Sequence, residues 1–137
     1  MQNSSSHPLP NQKVIFVPTS LGELIDKITI LQIKSLRLSG PSQDNVNHEL
    51  QALKITLEAL DFRIDPELVQ QLKDVNLQLW NIEDEIRDKD RQNDFGDSFI
   101  TLARSVYQHN DRRAAIKKQI NLDYGSAFVE EKSYKEY

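Results

Sequence analysis

Apolar residues recur every three or four positions over most of the chain, which predicts four α-helices joined by short loops. The first helix is predicted to begin after Ser20, because Ser20 and Glu23 form a capping-box pattern, and to continue to Leu38. Gly40-Pro41 is expected to end it. The second helix is predicted to start near Ser42. It carries two apolar stripes, which predicts that it lies between neighbours on both sides.

The third helix is predicted to begin at Asp65-Pro66, an acidic N-cap followed by a proline whose missing N–H costs nothing in the first turn. Its apolar seam follows the 4,3 spacing of a coiled coil and consists of Leu68, Leu72, Val75, Leu79, Ile82 and Ile86. The fourth helix is predicted from about Ser98 to Leu122, ended by Gly125 as a left-handed cap. The predicted fold class is therefore all-α, an antiparallel bundle of about four helices. It is either an up-down bundle or a set of helical hairpins completed by a second subunit.

The two ends of the chain differ from the helical region. Residues 1–12 are rich in Ser, Asn and Pro and are predicted to be a disordered leader. Lys13 to Val17 reads K-V-I-F-V and predicts a short β-type strand that pairs with a copy of itself or with another protein. The alternative is an extended segment that packs Ile15 and Val17 onto the bundle. The predicted organisation is one helical domain over residues 13–125, followed by a tail over residues 126–137.

The composition fits a single small domain of 137 residues, 28% of them charged and 38% hydrophobic. The chain has no cysteine, so disulfides and thiolate metal sites are excluded, and its three histidines are scattered. We expect no metal and no cofactor. No apolar stretch reaches the length of a membrane span, and the start of the chain lacks the pattern of a signal peptide. These features predict a cytoplasmic protein that does not bind membranes.

The net charge of −4 conceals an uneven distribution. Residues 65–94 carry nine acids and four bases, whereas residues 95–124 carry five bases and three acids. A nucleic-acid-binding protein normally presents a basic domain or stripe, and here one basic cluster stands in an acidic chain. We therefore predict no nucleic-acid partner.

The fourth predicted helix places Asn110, Arg113 and Lys117 in its apolar stripe. A buried guanidinium needs a partner, so three alternatives stand: the helix projects into water, a carboxylate pairs with Arg113, or an anion binds there. An antiparallel hairpin places Arg113 opposite Asn76. Glu83 is then about 10 Å too far along the third helix, at 1.5 Å per residue. A protein partner for Arg113 is thus expected from the first or second helix or from another subunit.

Charged residues also cluster on two other helices. On the first helix, Glu23, Lys27 and Lys34 line one side, flanked by Asp26, and form either a solvated face or a contact surface. Gly22 could let a partner or an anion approach the start of that helix. On the third helix, a further cluster consists of Trp80, Glu83, Asp84 and Arg87. Only Glu83 lies beside the seam, so no Mg²⁺ site is predicted.

Several motifs together resemble a family of small uncharacterised bacterial proteins, defined as a domain of unknown function. They are G-E-L-I-D-K-I-T-I-L-Q-I-K at 22–34, L-W-N-I-E-D-E-I-R at 79–87, N-D-R-R-A-A-I-K at 110–117 and E-E-K-S-Y at 130–134. The resemblance implies a compact helical domain without an assigned activity. It also implies that the motif residues least explained by core packing act together, which are Gly22, Glu23, Asp26, Lys27, Trp80, Glu83, Arg87, Asn110, Arg112 and Arg113.

Two functional hypotheses follow. The first is a non-catalytic helical interaction or accessory protein that forms a homodimer and binds a protein partner. The second is a small-anion or metabolite-binding enzyme, because the first helix also resembles that of the all-helical chorismate mutases. Their helix begins with a Leu-Arg pair, whereas here Leu21 precedes Gly22. The second hypothesis requires a cationic pocket in which five side chains converge: Lys27, Lys34, Arg112, Arg113 and Lys117.

Overall fold

A computed structural model describes residues 13–133 and shows four helices in chain order. They are α1 (Leu21–Arg37), α2 (Gly40–Glu58), α3 (Pro66–Arg91) and α4 (Asp97–Asp123). The all-α fold class is confirmed for this part of the chain. No helix within these residues is both long enough and apolar enough to cross a membrane.

The helix α1 is the centre of the fold, because it packs against each of the other three helices. The helices α3 and α4 form a long hairpin, α1 lies against both of them, and α2 contacts α1 alone among the four helices. The main core cluster lies where α1, α3 and α4 meet and consists of Ile25, Leu72, Val75 and Ile120. Burial of these side chains is what holds α1 in the groove of the hairpin.

The local helix signals operate as expected at three positions. The Ser20 hydroxyl accepts the Glu23 N–H at 3.1 Å, and Asp65 caps α3 through the Glu67 N–H at 2.9 Å. Gly125 has a φ of +65°, the left-handed conformation that favours glycine after a helix. These caps depend on neighbours in the chain, which is why the sequence alone predicts them.

Two predictions about α2 are wrong. The helix contacts α1 alone and has no fully buried residue, so its second apolar stripe has no neighbour among the described helices. Gly40-Pro41 does not end the first helix, which already stops at Arg37, but opens α2, with proline in the first turn. After Glu58 the chain turns instead of continuing the helix. Ile64 then packs onto the core, and Phe62 stacks on Tyr124 with ring centroids 5.5 Å apart.

The predicted strand is not formed in the single chain. Residues 13–19 have no regular secondary structure, and no strand is present among residues 13–133. The alternative of a packed segment is also wrong, because Ile15 is 85% exposed and Val17 is 70% exposed. The predicted leader, residues 1–12, lies outside the described residues.

Candidate functional site

A buried ion pair between Asp26 and Arg113 joins α1 to α4. Asp26 is 1% exposed, and the guanidinium binds both of its carboxylate oxygens, with Nε donating to Oδ1 at 2.9 Å and Nη2 donating to Oδ2. Asn76 on α3 donates its side-chain N–H to the same Oδ1 at 2.9 Å and to the Thr29 hydroxyl at 2.9 Å. The carboxylate is therefore satisfied by two other helices. Of the three alternatives for Arg113, the structure shows the carboxylate pair.

Lys117 lies one turn further along α4 and is 5% exposed. Its ammonium binds Glu23 at 2.7 Å and Glu130 at 3.0 Å, with Asp26 at 4.0 Å. Burial by itself would lower the pKa of Lys117, but the hydrogen bonds to Glu23 and Glu130 and the charge of Asp26 outweigh it and raise that pKa. Lys117 is thus held as a cation by three carboxylates.

The hydrogen bond to Asp26 is also the main cause that raises the pKa of Arg113, against the opposing effect of burial. Asn110 accepts from Nη1 of Arg113 over a long distance of 3.5 Å. The resulting charged cluster comprises two cations, Arg113 and Lys117, and three carboxylates, Asp26, Glu23 and Glu130. While Asp26, Glu23 and Glu130 are all bound, the cluster has no surplus of positive charge for an external anion.

The first turn of α1 is closed by side chains, not open to a ligand. Its first three N–H groups donate to the Ser126 hydroxyl at 3.1 Å, the side-chain oxygen of Asn121 at 2.7 Å and the Ser20 hydroxyl at 3.1 Å. A Cβ on Gly22 would lie 2.6 Å from the Lys117 carbonyl oxygen. Gly22 therefore allows a close approach of the α4 backbone, and the predicted approach of an anion at this position is wrong.

Two clefts flank the charged cluster and share Val106, Asn110 and Arg113. The larger, about 670 Å³, lies between α4 and the C-terminal segment, which is defined here as residues 126–133. The smaller, about 500 Å³, lies between α1 and the α3–α4 hairpin. The structure brings four of the predicted polar residues to the smaller cleft, namely Trp80, Glu83, Arg87 and Asn110.

The predicted cationic pocket does not form. Lys27 points to α2 and binds Glu49 at 2.7 Å, and neither Lys34 nor Arg112 lines either cleft. Of the five predicted cations, only Arg113 and Lys117 come together. The reason is geometric, because Lys27 is one residue past Asp26 and so lies about 100° around α1 from the ion pair.

Asp26 was expected beside a solvated face and is instead almost fully buried. The prediction failed because the apolar pattern of α1 does not show which acid meets Arg113 from another helix. Sequence reasoning also missed Thr29, Asn121, Ser126 and Glu130 as members of the site. Glu130 stands in one of the quoted motifs, which was the one available signal. The register that places Asn76 opposite Arg113 is correct, since both bind Asp26.

The elements of this site span the region that defines a known family. A model of the family of unknown function DUF6165 matches residues 15–137, so the chain belongs to that family. No curated protein and no solved structure matches the chain. Among residues 13–133, no group of three or more His, Cys, Asp or Glu side chains is arranged to hold a metal ion.

Proposed function

We propose that this chain is a non-catalytic helical interaction module of the bacterial cytoplasm that self-associates as a homodimer. The proposed interface is the far half of the α3–α4 hairpin, defined as residues 85–105. The non-catalytic part of the proposal is supported by the charge balance of the cluster, in which Arg113 and Lys117 are bound by carboxylates of the same chain.

The observation that carries the proposal is that this half of the hairpin extends past the rest of the fold. Arg37 is the last residue of α1, and its Nη1 lies 3.6 Å from Oδ2 of Asp84 on α3. The helix α3 continues seven residues further, to Arg91, which is about 10 Å. The helix α2 contacts neither α3 nor α4, so the far half consists of two helices alone.

The apolar seam of α3 is covered unequally along its length. Leu72 and Val75, which face α1, are 0% exposed. Leu79, Ile82 and Ile86 belong to the same seam but are only partly buried. Phe95 and Ile100, which lie in the far half, are 52% and 51% exposed. Covering apolar area of this kind with a second surface is favourable, because it removes the area from water.

A second copy of the chain fits this surface. Two identical hairpins side by side form a four-helix bundle, and a two-fold axis covers both open seams at once. Charge does not oppose this contact, because within the interface the α3 part, residues 85–91, carries three acids and three bases, and the α4 part, residues 97–105, carries one of each.

Light scattering at micromolar concentration tests the proposal. We expect a mass twice the 15.9 kDa of one chain. Ile100→Asp should convert the dimer to a monomer, because it buries a carboxylate in the interface. Leu122→Asp is the matched control, since Leu122 is 61% exposed near the opposite end of α4. A monomeric wild-type chain would overturn the proposal, as would equal effects of the two substitutions.

A further inference from the structure

The C-terminal segment runs back along α4 in the opposite direction. The N–H of its first residue, Ser126, donates to the backbone carbonyl oxygen of Asn121 at 2.8 Å. Near its other end, Lys132 binds Asp111 at 3.0 Å. Six extended residues cover about 20 Å, which is enough to follow the ten helical residues between those two contacts.

Three consecutive charges of the segment match three charges of α4. Glu130 binds Lys117 at 3.0 Å, Glu131 binds Lys118 at 3.1 Å, and Lys132 binds Asp111 at 3.0 Å. Each charge of the segment, in the order acid, acid, base, thus pairs with an opposite charge on α4. One of these contacts is well shielded from solvent, because the side chain of Lys117 is 6% exposed.

The segment does not fill the space beneath it. The cleft of about 670 Å³ remains between the segment and α4, and two residues of α4 give it a partly apolar floor: Val106 and Ala114. The apolar side chain of Phe128 is 52% exposed. The segment is therefore attached through charged side chains and hydrogen bonds, with little apolar burial.

We propose that this cleft is a binding site for an extended acidic peptide of a partner protein, and that the C-terminal segment occupies the site in cis. The partner peptide carries two consecutive acidic residues, which take the places of Glu130 and Glu131 on Lys117 and Lys118. An apolar side chain next to the acidic pair fills the floor that the segment leaves uncovered. We infer an acidic ligand because Lys117 and Lys118 bind acidic residues of the segment.

The outermost ion pair of the segment is weak. The Glu131–Lys118 pair is solvent-exposed, with side chains 69% and 49% exposed. An exposed ion pair changes an equilibrium constant by a factor of about 1.4 to 5. Gly125, with a φ of +65°, separates the segment from the end of α4 and serves as the pivot. A segment tethered in this way competes with a free peptide at an effective concentration in the millimolar range.

The test is a fluorescence-anisotropy titration of the full chain with a labelled peptide of sequence Ser-Ala-Phe-Val-Glu-Glu-Lys-Ser. The double variant Glu130→Gln with Glu131→Gln weakens the segment and leaves the site on α4 intact. We expect it to bind the peptide about tenfold more tightly than the wild-type chain, because two ion pairs of the competitor are lost. A peptide with Gln-Gln in place of Glu-Glu should bind at least tenfold more weakly.

The matched control is Glu67→Gln with Glu85→Gln, which removes the same charge from exposed positions of α3 and should bind the peptide as the wild type does. Adding Lys118→Gln to the first double variant should reduce its affinity about fivefold. Equal affinity of the wild type and the first double variant would overturn the proposal, as would equal binding of the two peptides or no binding at all. Far-UV circular dichroism verifies that each variant is folded.

Discussion

Asp26 is almost fully buried, and both of its carboxylate oxygens are bound by donors from other helices. Arg113 contributes two hydrogen bonds and Asn76 contributes one. A buried carboxylate without such donors would cost several kcal/mol. Among the described residues, Asp26 is the only carboxylate at hydrogen-bond distance from the guanidinium of Arg113. Removing the charge of Asp26 therefore leaves this partly buried cation without a carboxylate partner.

Asp26→Asn should lower the free energy of unfolding by about 3 kcal/mol, the loss typical of breaking one side of a buried ion pair. Urea unfolding monitored by circular dichroism measures it. Asp84→Asn is the control. Asp84 is 61% exposed and its pair with Arg37 spans 3.6 Å, so the change should cost less than about 1 kcal/mol. A loss for Asp26→Asn no larger than that of the control would contradict the role assigned to Asp26.

Lys117 gives a prediction about pH. Its pKa is raised in the folded protein, so the resulting stabilisation is fully present below the ordinary lysine pKa of about 10.4 and is lost as the pH rises through the folded-state pKa. The stability of the wild type relative to Lys117→Met should be constant from about pH 7 to 9 and decrease above about pH 10.4. Denaturant unfolding at each pH measures this difference.

Taking the difference between the two proteins cancels the titration of groups that they share, including the tyrosines. The prediction is contradicted if the relative stability stays constant up to about pH 11, or if it changes only below neutral pH.

At the scale of elements, α1 and α4 approach closely at Gly22. A Cβ there would lie 2.6 Å from the backbone oxygen of Lys117 and 3.1 Å from the side-chain oxygen of Asn121. A backbone oxygen cannot rotate away, so the two helices would have to separate. The Asn121 side chain would then lose its hydrogen bond to the Gly22 N–H.

Gly22→Ala should therefore lower the free energy of unfolding by about 1–2 kcal/mol, although alanine is the better helix former by about 1 kcal/mol. Gly96→Ala is the control, because a Cβ there meets only the Asp94 side chain, at 3.5 Å. Thermal unfolding of the two variants side by side measures the effect. A more stable Gly22→Ala variant would contradict the close approach.

The helices also show which parts of the fold the sequence could predict. The beginnings of α1 and α3 depend on Ser20 and on Asp65 with Pro66, residues that act on the adjacent turn, and both were predicted. The neighbours of α2 were not predicted correctly. Two apolar stripes indicate that a helix can be buried, but they do not identify which helix packs against it. In this fold α1 takes the central place, while α2 keeps one side exposed.

The charged cluster was predictable from the sequence only in part. The wheel of α4 singled out Arg113 and Lys117, since polar groups in an apolar stripe need partners. The periodicity could not identify the partners of these cations: Asp26 and Glu23 lie in a helix distant in the chain, and Glu130 lies outside the predicted helices. The separation between Asp26 and Arg113 is 87 residues. Local periodicity carries no information about such a contact.

At the scale of the whole molecule, the proposed dimer makes thermal stability depend on concentration. Association stabilises the folded state by mass action, so the Tm should rise by about 2–3 °C for each tenfold increase in protein concentration. Differential scanning calorimetry from about 5 to 500 µM measures it. Ile100→Asp should abolish the dependence. A wild-type Tm independent of concentration would contradict the dimer.

The capping of α1 has a consequence for the synthesis of the chain. Its first two N–H groups depend on Ser126 and Asn121, which follow them by 105 and 99 residues. At about 5–20 residues per second, a ribosome needs on the order of 5–20 s to add those residues. During that interval α1 has its local cap, Ser20, but lacks the two distant caps and the groove that receives its apolar face. The central helix of this fold is thus made first and enclosed last, and the nascent chain exposes it to chaperones until α4 is complete.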